Sequence, residues 1–281
     1  MRKTRFLVVR AQSLRWTVLA LLGFAALLLA RSATPVAVTR GAAYDHKPML
    51  AIVIDDFGQD RGGVREMLEL PLAITCAIMP NMEFTQQDAE DAHRVGKEVI
   101  VHMPMQARTS DPMSWYGPEP ILLWHGREQA QAIAERAVAS VPHAVGMNIH
   151  VGSGSSEREA IVGGVMQACL DAGFYFLDSY TSPKSVCERV ADECGVPFLI
   201  RHVFLEHGNR SKAGIKAQLK RAVEIAKERG SCIAIGHVGP EGGKVTVEAI
   251  REMIPYFQEQ GVEIVPASML LSLEENKRGG D

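Results

Sequence analysis

Apolar and polar positions follow two different periods along this chain. Short apolar runs at Leu50–Ile54, Leu72–Ile78, Glu98–Val101, Val145–Asn148, Phe174–Leu177, Phe198–Ile200, Cys232–Ile235 and Glu263–Val265 read as strands. The first and fifth are nearly all apolar, as expected of strands covered on both faces. Between them, Glu83–Val95, Arg127–Ser140, Glu157–Ala172, Ser182–Cys194, Lys212–Arg229 and Lys244–Gln260 carry helical spacing. In Lys212–Arg229, Ile215, Leu219, Ala222, Val223 and Ala226 form one stripe and the basic residues a solvated opposite face.

Strand–helix alternation over a whole domain implies an α/β fold with a parallel sheet and crossover helices. Eight strand-like runs favour a single (β/α) barrel, distorted or seven-stranded, over an open doubly wound sheet. Gln106–Gly126 breaks the pattern. It carries Pro112, Trp115, Tyr116, Pro118, Pro120 and Trp124 without a period and follows a strand, so it should lie over the barrel mouth. Its aromatics suit either a sugar face or the packing of the loop itself.

The ends differ from the middle. Arg2, Lys3, Arg5, Arg10 and Arg15 precede an apolar run from Trp16 to Ala30, closed by Arg31. Residues 1–33 therefore read as a secretory signal or a signal anchor, leaving the domain periplasmic or otherwise extracytoplasmic. If uncleaved, residues 16–30 would tie it to the inner membrane, its one expected membrane contact. Residues 34–47 form a polar linker, 48–273 the barrel domain, and the charged, Gly-rich 274–281 a flexible tail.

The chain has 281 residues, 30 basic and 33 acidic, for a net charge of −3. No basic stripe with interleaved aromatics lies beyond the N-terminus, which argues against nucleic acid. Of the five cysteines, Cys76, Cys169 and Cys232 read as small buried hydrophobes. Cys187 and Cys194 flank one helical segment and are candidates to pair in an oxidising compartment. No Cys-x-x-Cys is present, which argues against a cysteine zinc site.

Five strand-like runs end on residues of catalytic type: Asp55-Asp56, His102, Asn148 with His150, Asp178 and His237. Strand C-termini are where α/β barrels carry their chemistry. Two adjacent carboxylates are costly to hold unless a cation or shared proton sits with them. Asp56 with His102 and His150 supplies three ligands of the kind zinc takes, and Asp55 is placed to accept a proton from the attacking water. Both carboxylates can serve one site only where the strand ends and turns, as Phe57-Gly58 suggests. Pro104 should stop the third strand with His102 at its tip. Asn148 is a candidate to hold a ligand or the base. Asp178-Ser179 could orient a ligand histidine or cap the next helix, and His237 is the candidate general acid. His202 and His207 lie too close along one segment to be assigned, and His46, His93, His125 and His143 read as surface residues. Gly239–Lys244 fails as a P-loop because Val245 stands where Ser or Thr is needed. Gly152–Glu157 lacks the third glycine of a dinucleotide fingerprint.

Ile-Asp-Asp-Phe-Gly, Ala-Ile-Met-Pro-Asn, Val-His-Met-Pro-Met, Gly-Met-Asn-Ile-His-Val-Gly-Ser, Phe-Leu-Asp-Ser and Ala-Ile-Gly-His occur here in that order. Together they resemble the divergent polysaccharide deacetylase family from about Met49 to Leu270. The resemblance implies a deformed (β/α) barrel, a divalent metal with zinc the default, and hydrolysis of N- or O-acetyl groups on an envelope carbohydrate. It implies Asp55 as base, Asp56, His102 and His150 as metal ligands, and His237 as acid. The chain departs from the pattern at Ile149, Tyr180, His202 and Val238, where Asn, Arg, an acidic residue and Pro are expected. Tyr180 would replace a charge with a stacking face for a sugar. The alternative reading is a non-catalytic carbohydrate- or envelope-binding protein on the same barrel.

Overall fold

A computed structural model describes residues 46–109 and 112–273. The expected signal or anchor, most of the expected linker and the expected C-terminal tail lie outside the described residues. Among those described, no helix is long and apolar enough to cross a membrane.

Among the described residues, nine parallel strands form the sheet: β1 (Met49–Phe57), β2 (Thr75–Ile78), β3 (Glu98–Met105), β4 (Ala144–Val151), β5 (Tyr175–Asp178), β6 (Phe198–Ile200), β7 (Val203–Phe204), β8 (Ser231–His237) and β9 (Glu263–Val265). Their order is β6-β5-β4-β3-β2-β1-β8-β7, with β9 beside the start of β1. The sheet curls into a barrel. β6 and β7 are two halves of one interrupted run: Arg201 N–H bonds Asp178 O of β5, and His202 N–H bonds Ile233 O of β8. The run thus crosses from one neighbour to the other and spans the gap between β5 and β8. Helices α1 (Val64–Leu68), α2 (Thr85–Arg94), α3 (Arg127–Ser140), α4 (Glu159–Ala172), α5 (Cys187–Cys194), α6 (Lys212–Arg229) and α7 (Gly243–Glu259) connect the strands.

Side-chain alternation sorts each strand into two layers. Leu50, Ile52 and Ile54 of β1 join a large cluster with helix residues such as Ala226, Met253 and Phe257. Ala51 and Val53 join a smaller cluster with Ala77, Ile100, Leu177, Leu199, Ile233 and Ile235, which fills the barrel. Val265, Ala267 and Leu270 belong to the same cluster, and Ala267 N–H bonds Thr75 Oγ1 at the start of β2, so this segment closes the N-terminal end. Continuing the inward period by two residues from Val53, Ile100, Leu177 and Ile235 reaches Asp55, His102, Ser179 and His237. The apolar filling therefore stops one rung below the C-terminal rim, where polar residues take its place.

Two strand boundaries differ from expectation. β1 runs through Asp55-Asp56 to Phe57 instead of ending at the pair, with a register shift against β2 between Ile54 and Phe57. β3 runs through Pro104 to Met105. Proline is accommodated because β2 pairs with β3 only as far as Val101, and past that point Ile121 of the long loop donates to Pro104 O. Cys187 and Cys194 are free thiols. As the first and last residues of α5 they stand about 10 Å apart along its axis, beyond disulfide reach.

α3 and α4 pack closely at Gly164. A Cβ there would lie 2.2 Å from Arg127 O and 2.8 Å from Gln131 N, both backbone atoms. Gly164→Ala is therefore expected to destabilise the domain by about 1–3 kcal/mol, against the roughly 1 kcal/mol that alanine gains in helix propensity. Urea unfolding reads this as a lower midpoint with an unchanged slope.

Candidate metal centre at the barrel rim

The Asp55-Asp56 pair is brought to one side by a left-handed turn of the backbone at Asp56. Asp56 has φ of 71°, a left-handed conformation uncommon for a residue other than glycine. This turn within the bulge of β1 cancels the alternation that would send Asp55 and Asp56 to opposite faces. Val151 (φ 62°), just past His150, and Tyr180 (φ 48°), just past Ser179, are also left-handed. A β-branched residue in that region is strained, and such residues gather at functional sites.

Asp55, Asp56, His102, Asn148 and Asp178 are buried, and His150 is nearly so. Asp56 Oδ1 lies 3.2 Å from His150 Nδ1 and 3.4 Å from His102 Nε2, and those two nitrogens are 3.0 Å apart. Their far nitrogens are already committed. His102 Nδ1 meets Asn148 Oδ1 at 2.7 Å, while the Asn148 amide N–H bonds Asp55 Oδ1 at 2.8 Å. A carboxylate only accepts, so the amide must turn its oxygen to His102, and Nδ1 carries the proton. His150 Nε2 faces the Trp115 carbonyl at 2.9 Å and must likewise donate. In neutral imidazoles, Nε2 of His102 and Nδ1 of His150 are then bare lone pairs, aimed at each other and at a carboxylate. Asp56 Oδ1 is itself buried without a hydrogen-bond partner. Three electron-pair donors converge within 3.4 Å of one another, a repulsive arrangement that a shared cation relieves. Ligands of a tetrahedral zinc at about 2.1 Å stand about 3.4 Å apart, so these residues fit the ion. The carbonyl partners of the two histidines supply the outer support that metal-bound imidazoles require.

The carboxylates are set apart electrostatically. Burial pushes Asp55 above its usual range, against the lowering influence of His102, His237 and the Asn148 hydrogen bond. Burial acts on Asp56 in the same sense, but His102, His150 and His237 outweigh it and hold Asp56 well below the carboxylate range. One group is thereby suited to take a proton and its neighbour to stay ionised as a ligand.

His237 stands opposite Asp55 in the β1–β8 register. Its Nδ1 meets Glu206 Oε2 at 3.1 Å, and Glu206 Oε1 also accepts from His237 N–H and Thr246 Oγ1. Burial alone would lower the imidazole. The Glu206 hydrogen bond, with Asp56 and Asp55 nearby, instead raises it to about 9. Glu206 was not foreseen. Its signal in the sequence is Val203-Phe204-Leu205-Glu206, an apolar stretch ending on a carboxylate like the other site strands and flanked by His202 and His207.

The remaining candidates separate. Ser179 faces inward and bonds Ile149 O and N–H. Asp178 falls on the opposite face and does not orient a histidine. It accepts from Tyr180 N–H and Ser185 Oγ, closing the turn before α5. Tyr180 is exposed and does not line the site cavity. His202 Nδ1 accepts from Ile233 N–H at the edge of β8, while Ile149 and Val238 are buried. None of the four departures falls on the ligand triad. In the long loop the aromatics divide: Tyr116 is buried with its hydroxyl accepting from Ala107 N–H, whereas Trp115 is 57% exposed and lines the cavity.

That cavity, about 350 Å³, opens over the triad and is walled by Trp115, Ile149, Phe204, Ile235, Arg201 and His237. A parallel α/β barrel with an aspartate–histidine–histidine cluster at its C-terminal rim is thus the class of protein defined here. The family model of the divergent polysaccharide deacetylases matches residues 52–271, and the chain belongs to that family. It is 35% identical over 223 residues to the uncharacterized protein YibQ of Escherichia coli (strain K12), covering 79% of this chain and 67% of that one. An uncharacterized protein of Haemophilus influenzae (strain ATCC 51907 / DSM 11121 / KW20 / Rd) is 34% identical over 215 residues, covering 76% and 75%. The crystal structure of an uncharacterized protein from Agrobacterium tumefaciens C58 superposes with a TM-score of 0.73 at 23% identity, over 82% of this chain and 92% of that one. At that identity the likeness shows the fold.

Proposed function

We propose that this protein is an exported, metal-dependent hydrolase that removes acetyl groups from a carbohydrate of the cell envelope. The observation that carries the reading is the convergence of Asp56, His102 and His150, with both imidazoles turned ligand-side out by their hydrogen bonds. Family membership supports the substrate class, and the basic–apolar N-terminal segment supports export. Zinc is the default ion, and manganese, iron and cobalt suit the same ligand types.

When bound, the divalent ion supplies Lewis acidity to the acyl carbonyl and acidifies water. The chain's residues do the rest. Asp55 takes the proton of the attacking water; Asn148 holds one of its oxygens and leaves the other for the transfer. His237 keeps Nδ1–H on Glu206, which leaves Nε2–H to protonate the departing amine or alkoxide. Trp115, Phe204 and Ile235 give the cavity apolar walls around the acyl group. Acetate release from acetylated chitooligosaccharides or peptidoglycan fragments, with the protein loaded in turn with zinc, manganese, iron and cobalt, tests this. Release with one ion and loss on chelation is expected. No release with any ion would leave the non-catalytic carbohydrate-binding reading.

The pH profile follows from the same groups. A base must be deprotonated and an acid protonated, so activity should fall at low pH as Asp55 gains a proton and at high pH as His237 loses one. Glu206→Gln removes the anion that holds His237 at about 9. The alkaline limb should then move toward lower pH, in the direction of an ordinary histidine near 6.5, with the acid limb little changed. An unmoved alkaline limb would remove His237 from the acid role.

A further inference from the structure

One cation in the cavity wall makes no direct ion pair among the described residues. The Arg201 guanidinium donates Nε–H to Ser179 O at 2.5 Å and Nη2–H to Tyr180 O at 2.9 Å, and lies 5.4 Å from the centre of the Phe204 ring. Among the described residues, no carboxylate lies within 4.0 Å of it. The neighbouring charges are accounted for. Glu241, also in the wall, pairs with Arg210 at 2.6 Å, and Glu206 pairs with His237. Asp178 and Asp55 act on Arg201 only at longer range. The guanidinium has no direct anionic contact.

Its geometry is that of a prepared receptor. Arginine carries five N–H donors in a rigid plane, and here two are used, both on carbonyls of the turn after β5. The outer edge, formed by Nη1 and the second Nη2 hydrogen, meets no protein acceptor among the described residues. The carbonyl clamp and the Phe204 ring fix the plane, so little side-chain entropy remains to be lost on binding. Two parallel N–H groups on such an edge match the two oxygens of a carboxylate or phosphate. The Ser179 and Thr181 side chains line the wall alongside.

We infer that Arg201 forms an anion subsite beside the metal centre, so that the sugar this site accepts carries a carboxylate or phosphate substituent. This rests on the carbohydrate reading above and narrows it to acidic saccharides. Arg201 is thus a binding residue that selects substrate, with no part in proton transfer.

The test is calorimetric titration of the zinc-loaded full chain with methyl β-D-glucuronide, its methyl ester, methyl β-D-glucoside and glucose 6-phosphate. The acid should bind at least about tenfold more tightly than the ester and the glucoside, the scale of one charge-assisted contact. Glucose 6-phosphate tells whether carboxylate or phosphate is preferred. In Arg201→Gln the preference should vanish. Because that variant keeps the zinc ligands, a carboxylate that merely binds the ion would bind it as tightly as wild type, and that result overturns the inference. Equal binding of acid and ester by wild type overturns it as well, and needs no folded variant. Arg201→Lys, which keeps the charge and loses the fork, should retain only part of the preference. Binding does not depend on turnover. A preference without acetate release would remove the hydrolase and keep the subsite, and acetate release without a preference would do the reverse.

Discussion

Asp55→Asn is expected to lower acetate release by about 10²–10⁴-fold, the usual contribution of a positioned general base, while leaving the bound ion in place. Asparagine has nearly the same shape and can still present an oxygen to the Asn148 amide, so the hydrogen-bond chain from Asn148 to His102 survives. What is lost is the proton-accepting oxygen. Burial already holds Asp55 above the usual carboxylate range, which is what a base needs in order to capture a proton and, in the next step, release it. Metal analysis beside the rate measurement separates this outcome from a collapsed site. A variant that keeps its metal and loses its rate assigns Asp55 to the chemistry, and one that keeps both removes it.

His102→Ala is expected to weaken zinc binding by more than about 100-fold, since disturbing only the outer partners of a metal site costs roughly 10–100-fold. The outer partner gives a graded control. Asn148→Leu leaves His102 present but removes the oxygen that fixes its proton on Nδ1, so its affinity should fall between wild type and His102→Ala. Competition with a chromophoric chelator measures both. If His102→Ala and Asn148→Leu bind zinc like wild type, the triad does not hold the ion.

The strands were legible because they are covered on both faces, so β1 and β5 read as unbroken apolar runs and needed no periodicity to be found. The site was legible where a polar residue interrupts such a run at its C-terminal end, which picked out Asp55, Asp56, His102, Asn148, His150 and His237. Strand-end position alone does not give the face. Asp178 ends β5 as plainly as His102 stands near the end of β3, but it is one residue out of phase with Leu177 and points to the helices. Ser179, in phase, points inward. Asp56 breaks the same rule the other way, because its φ of 71° restores it to the inner side, a conformation the residue type permits without announcing. Contacts that join distant segments left little trace. The Trp115 carbonyl on His150 and the Glu206 carboxylate on His237 depend on where a loop and a split strand come to rest. The four departures at 149, 180, 202 and 238 fall on core, rim and strand-edge positions and leave the triad intact.

X-ray absorption at the zinc edge of the dialysed full-length protein tests the central claim most directly. The account predicts about one zinc per chain, with a shell of nitrogen and oxygen at roughly 2.0–2.1 Å that includes two imidazoles. A protein that retains no zinc after dialysis, or whose shell holds sulfur and no imidazole, would contradict it.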